Sequence, residues 1–170
     1  KRLEMINLKP CKTLPEVINK ITETVIKHSD NRWIFGFGWD QTLWGNDLYP
    51  TKDILNNIST NNPIVLTRID GHCIWVNDNV INQSSYKISN LVSPEGGEII
   101  NKCIFIDNAM NPINNIIPKE SDADVLSWVS SAAEEIITRG ITNVHDAWQD
   151  ASIISAVKKL EKKNNLPIRC

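Results

Sequence analysis

The chain has 170 residues, enough for one compact domain or a domain with an appendage. It is 41% hydrophobic and 22% charged with a formal net charge of -2, so it can build a core and does not read as a binder of nucleic acid or anionic membrane through bulk charge. No apolar run approaches the roughly 18–20 residues of a membrane span. The opening residues do not read as a leader. The four cysteines, Cys11, Cys73, Cys103 and Cys170, have neither metal-like spacing nor the density of a disulfide scaffold, so a reducing cytoplasm is the expected compartment.

Composition carries one bias. With 25 Ile, 20 Asn and 13 Lys, an isolated Asn or Lys says little about function. Tryptophan is more informative: four of the six, Trp33, Trp39, Trp44 and Trp75, fall in one stretch, as in a dense core or a lined pocket.

In chain order, Thr13-Leu14-Pro15-Glu16 is a capping box opening a helix to about His28, with Leu14, Ile18, Ile21 and Val25 on one face. Short strands are predicted at 33–37, 64–69, 73–77 and 103–106, with turn-rich segments between them such as Pro94-Glu95-Gly96-Gly97. Asp70-Gly71 is the strongest hairpin signal. A two-residue turn there sets Leu66 opposite Trp75 and Arg68 opposite Cys73. Alternation then places Arg68, Cys73 and Trp75 on one face, and Thr67, His72 and Ile74 on the other. Arg68 and His72 are therefore expected on different faces, and converge only if the turn is longer or bulged.

Further on, Ser121-Asp122-Ala123-Asp124 starts a helix whose apolar face is Val125, Trp128, Val129, Ala132, Ala133, Ile136 and Ile137, closed by Arg139-Gly140. A strand at 141–144 ends in His145-Asp146. A helix at about 150–163 follows, with Ile153, Ile154, Val157 and Leu160 inward, and Leu166-Pro167-Ile168 begins another strand. Helix–strand–helix–strand is the rhythm of parallel α/β architecture. The division expected is a mixed lobe over 1–120 and an α/β segment over 121–170.

Three constellations could carry chemistry. His145 and Asp146 stand where parallel strands present ligands, and could bind metal or move protons; the plainer reading is a helix start and a hydrogen bond. The tip Arg68-Ile69-Asp70-Gly71-His72 could hold a carboxylate or polar substrate group, or could serve turn geometry alone. The glycines of Phe35-Gly36-Phe37-Gly38-Trp39-Asp40 lack the third Gly of a dinucleotide loop and read as a tight strand exit with aromatic packing.

Several stretches in this order resemble amidohydrolase family 3, metal-dependent amidohydrolases of the exoenzyme-regulatory or N-substituted formamide deformylase type. They are Trp33-Ile34-Phe35-Gly36-Phe37-Gly38-Trp39-Asp40-Gln41 with Trp44, the run from Pro63 through Arg68-Ile69-Asp70-Gly71-His72 to Asn77, Gly96-Gly97-Glu98-Ile99, Ile106-Asp107-Asn108-Ala109-Met110, and Gly140-Ile141-Thr142-Asn143-Val144-His145-Asp146-Ala147. The resemblance implies an internal fragment of a longer enzyme: an inserted lobe followed by an incomplete piece of a TIM-like barrel. It implies a divalent metal, zinc in the first place, in the parent, with His145 and Asp146 as catalytic candidates at the barrel mouth. Arg68, Asp70, His72 and Trp75 are the candidate substrate-binding residues. The implied reaction is hydrolysis of a non-peptide carbon–nitrogen bond in an amide-like small molecule. No metal is expected in the fragment itself, which should be inactive and self-associate through exposed barrel edges. The alternatives are a binding module built on the tryptophan-rich lobe, or a decayed relative. Where this family usually has a longer Gly-x-Pro-Thr-Gly turn, Asn101-Lys102 runs almost directly into Cys103.

Overall fold

The computed structural model describes residues 2–28, 31–45, 47–86, 90–147 and 149–170, the side chain of Arg2 excepted. Two compact units divide it, Arg2–Ile117 and Pro118–Cys170.

The first unit is a six-stranded mixed sheet. Its strands are β1 (Ile6–Asn7), β2 (Ile34–Trp39), β3 (Ile64–Arg68), β4 (Cys73–Val76), β5 (Gly97–Ile100) and β6 (Ile104–Asp107), in the order β1-β2-β3-β4-β6-β5. The pairs β1–β2 and β2–β3 are parallel and need crossovers, which α1 (Leu14–Lys27) and α2 (Lys52–Ile58) supply. The remaining pairs are antiparallel. Thr13 caps α1 by accepting from the backbone N–H of Glu16 at 3.4 Å, while the Glu16 carboxylate accepts from that of Lys12 at 2.7 Å, so the predicted box is present with its return arm displaced by one residue.

Alternation splits the core in two. On one face Ile34, Trp39, Ile64, Leu66, Cys73, Trp75 and Ile104 pack with Val17 and Ile21 of α1 and Leu55 of α2. On the other, Val65, Ile74, Val76 and Phe105 pack with Val80 and Ile81 of α3 (Asp78–Gln83) and with Ala109 and Ile113, which lead into and lie on α4 (Asn111–Asn114). The hairpin register is the one expected, with Leu66 opposite Trp75. The tryptophans build core rather than a lined pocket. Trp39 and Trp75 are fully buried and meet edge to face at 6.1 Å, with Trp44 tilted against both.

Two glycines are required by geometry. Gly38, at φ +86°, forms a bulge in β2, so that Gly36 pairs with Leu66 but Trp39, not Gly38, pairs with Arg68. The extra residue is what turns Trp39 into the core, where its indole donates to the carbonyl of Leu66 at 2.8 Å. At Gly97 a Cβ would lie 2.3 Å from the backbone N of Ala109, so only glycine lets the chain after β6 cross over β5. The short β5–β6 connection closes with Asn101 at φ 50° and Lys102 at φ 59°, and the N–H of Cys103 reaches the carbonyl of Ile100 at 3.1 Å. That is a type I′ turn. The Asn101 amide then donates to the carbonyl of Tyr49 at 3.0 Å, tying the turn to the segment before α2.

The second unit is α5 (Asp122–Thr138) and α6 (Ala151–Lys162) packed through Val125, Ala133, Ala156 and Leu160. The Ser121–Asp124 capping box is complete: each side chain accepts from the other's backbone N–H. The strand expected at 141–144 is reduced to one parallel bridge, Asn143 with Arg169, made by Val144 N–H to Arg169 O and Arg169 N–H to Thr142 O, both 2.8 Å. Among the described residues no further strand extends this ladder, and Ile141, Thr142 and Asn143 stay exposed. The apolar faces of α5 and α6 are only partly covered. Ala132 and Ile154, both expected inward, are exposed, and Trp128, Val129, Ile136, Ile153 and Val157 line an open groove of about 1010 Å³. No helix among the described residues is long and apolar enough to cross a membrane.

Candidate functional site

The polar residues at the open end of β2, β3, β4 and β6 form one connected cluster. Arg68, the last residue of β3, is four-fifths covered. Its Nε donates to Oε1 of the buried Gln41 at 3.0 Å, and its Nη1 donates to Oδ2 of Asp70 at 2.7 Å. Nη2 lies 4.0 Å from Oδ1 of Asp40. Asp40 follows the β2 bulge and caps a short 3-10 turn, Gln41–Trp44, through the N–H of Thr42. Two carboxylates and an amide thus flank the guanidinium, two of them within hydrogen-bond distance.

Asp70 joins the two sheet faces. Its Oδ2 takes Arg68, and its Oδ1 accepts the backbone N–H of His72 at 3.1 Å. Arg68 and His72 do point from different faces, as alternation requires, and the turn side chain between them makes the link. Beyond it, the Nδ1 of His72 lies 2.9 Å from Oδ1 of Asp107. A carboxylate only accepts, so Nδ1 carries the proton and Nε2 holds the lone pair of the neutral ring. The backbone reinforces this pair, since the N–H of Asp107 donates to the carbonyl of His72 at 3.1 Å.

Trp75 does not belong with these groups. It is fully buried and its indole N–H is given to the carbonyl of Thr51 at 3.2 Å, so it is a core residue with no face to solvent. Cys73 and Cys103 are likewise buried, and desolvation pushes both thiols up to about 12, which leaves them protonated and unreactive near neutral pH.

Asp107, Asp40 and Gln41 are site residues that sequence reasoning did not single out. The signal for Asp107 lay in the ladder: with Cys73 opposite Ile106, continuing the antiparallel register sets His72 opposite Asp107. The signal for Gln41 is a polar residue placed directly after a strand-ending Asp.

His145 and Asp146 belong to the second unit. Both are exposed residues at the rim of its apolar groove, and Gln149 donates to the Asp146 carboxylate. They do not make a metal site by themselves. A catalytic zinc takes about three protein donors, and among the described residues no group of three or more His, Cys, Asp or Glu is placed to hold an ion.

Comparison with known proteins agrees with the family resemblance. The chain is 26% identical over 155 residues to Protein LONG AFTER FAR-RED 3 of Arabidopsis thaliana, covering 85% of this chain and 26% of that protein. It is 27% identical over 151 residues to the putative amidohydrolase YtcJ of Bacillus subtilis (strain 168), covering 82% of this chain and 28% of that one. The fold is similar to that of an uncharacterized metal-dependent hydrolase from Pyrococcus horikoshii OT3, with TM-score 0.65 and 23% identity over 98% of this chain and 32% of the other. A second such hydrolase, from Pyrococcus furiosus, gives TM-score 0.63 at 23% identity over 98% of this chain and 33% of the other. The chain therefore spans between about a quarter and a third of the length of these relatives. The sequence model of the amidohydrolase family matches residues 2–170, essentially the whole chain, and the protein belongs to that family.

Proposed function

We propose that these residues are part of a metal-dependent hydrolase that cleaves a non-peptide carbon–nitrogen bond in an amide-like small molecule. The observation that carries the reading is the match to the amidohydrolase family over residues 2–170. The first unit is then a substrate-facing lobe, whose hairpin tip of Arg68, Asp70 and His72 positions substrate. The second is a piece of a TIM-like barrel, with His145 and Asp146 at the end of its bridged segment. The divalent metal expected of the whole enzyme, zinc in the first place, must draw most of its donors from outside the described residues, because His145 and Asp146 supply two at most. On that ground the 170 residues alone are inactive.

The test is amine release from a panel of formamides and N-acyl amines, run with the whole protein before and after chelation and with the isolated chain beside it. Turnover by the whole protein that stops on chelation, with none from the isolated chain, is the expected result. A whole protein that leaves every amide intact but binds one tightly would favour a binding module instead. Appreciable turnover by the isolated chain would overturn its assignment as an inactive part.

A further inference from the structure

We draw no further inference here: the strongest candidate, the open apolar groove of about 1010 Å³ along α5 and α6 of the second unit, carries nothing, because nothing in the structure shows what covers it in the whole protein.

Discussion

The side-chain carbonyl of Asn77 accepts the backbone N–H of Ile64 at 3.1 Å, so a residue just past β4 completes the first rung of β3. The same side chain donates to the carbonyls of Ser59 and Asn62 at 3.0 and 2.9 Å, and no part of it is exposed. It also caps α3 by accepting the N–H of Val80 at 3.4 Å, so replacing it leaves four backbone groups without partners, at about 1–3 kcal/mol for each buried one. Asn77→Leu should therefore lower the unfolding free energy by roughly 3 kcal/mol or more, read from denaturant midpoints. A loss under about 1 kcal/mol would mean that water or a shifted loop supplies the missing partners.

Lys102 occupies the second left-handed position of the β5–β6 turn. A side chain there costs about 1 kcal/mol relative to glycine. Lys102→Gly should stabilise the chain by about that much, while Asn101 keeps its bond to Tyr49. A destabilised variant would show that the turn has another form in solution.

Asp107→Gly relieves the backbone strain at the end of β6, where Asp107 stands at φ 48°, and abolishes the contact with His72. Stability should rise by about 1 kcal/mol, read from denaturant midpoints. If stability drops instead, the His72 contact is worth more than the strain it costs.

The Asp124 carboxyl is held below its ordinary value of 3.8, first by the Ser121 hydroxyl and then by the Ser121 backbone N–H. A lowered carboxyl favours the folded state above that ordinary value, and the gain is lost as pH falls through the folded-state value. Thermal unfolding of wild type and Asp124→Asn should differ at pH 6 and converge as the pH falls through the folded-state value of Asp124. A constant gap across that range would remove the charged carboxylate from the cap.

The groove of the second unit leaves apolar surface on α5 and α6 only half covered, beside the open edge of the Asn143–Arg169 bridge. We expect the isolated chain to self-associate there, as an edge and an apolar face together favour a second copy. Sedimentation at tens of micromolar should show dimers that Val157→Glu disperses. A clean monomer of the unaltered chain would remove the expectation.

Local signals were the legible ones. The Asp70-Gly71 turn set the hairpin register, and Ser121 and Thr13 marked helix starts, because each depends on residues a few positions apart. Strand alternation correctly separated Arg68 from His72. What it could not show is that Asp70, in the turn and so outside the alternation, bonds to both. The His72–Asp107 pair was hidden for a different reason: 35 positions separate its members, and only the β4–β6 pairing brings them together. Discounting asparagine on composition also passed over Asn62, Asn77 and Asn101, whose short amides satisfy backbone groups that no longer strand reaches. The predicted strand at 141–144 needed neighbours that the described residues do not provide.

A strand counts in twos, and Gly38 makes β2 lose count once. Before it, Ile34 and Gly36 serve the face that holds Trp75; after it, Trp39 takes over that duty, and Asp40 and Gln41 leave the strand half a step out of phase with Phe35 and Phe37. Two of the groups beside Arg68, Asp40 and Gln41, are therefore placed by the bulge at Gly38. Deleting Gly38 would exchange the two faces after Phe37, move Trp39 from the face of Trp75 to that of Phe35 and withdraw Gln41 from the guanidinium. Which groups flank the guanidinium of Arg68 is in that sense written one strand away, in the parity of β2.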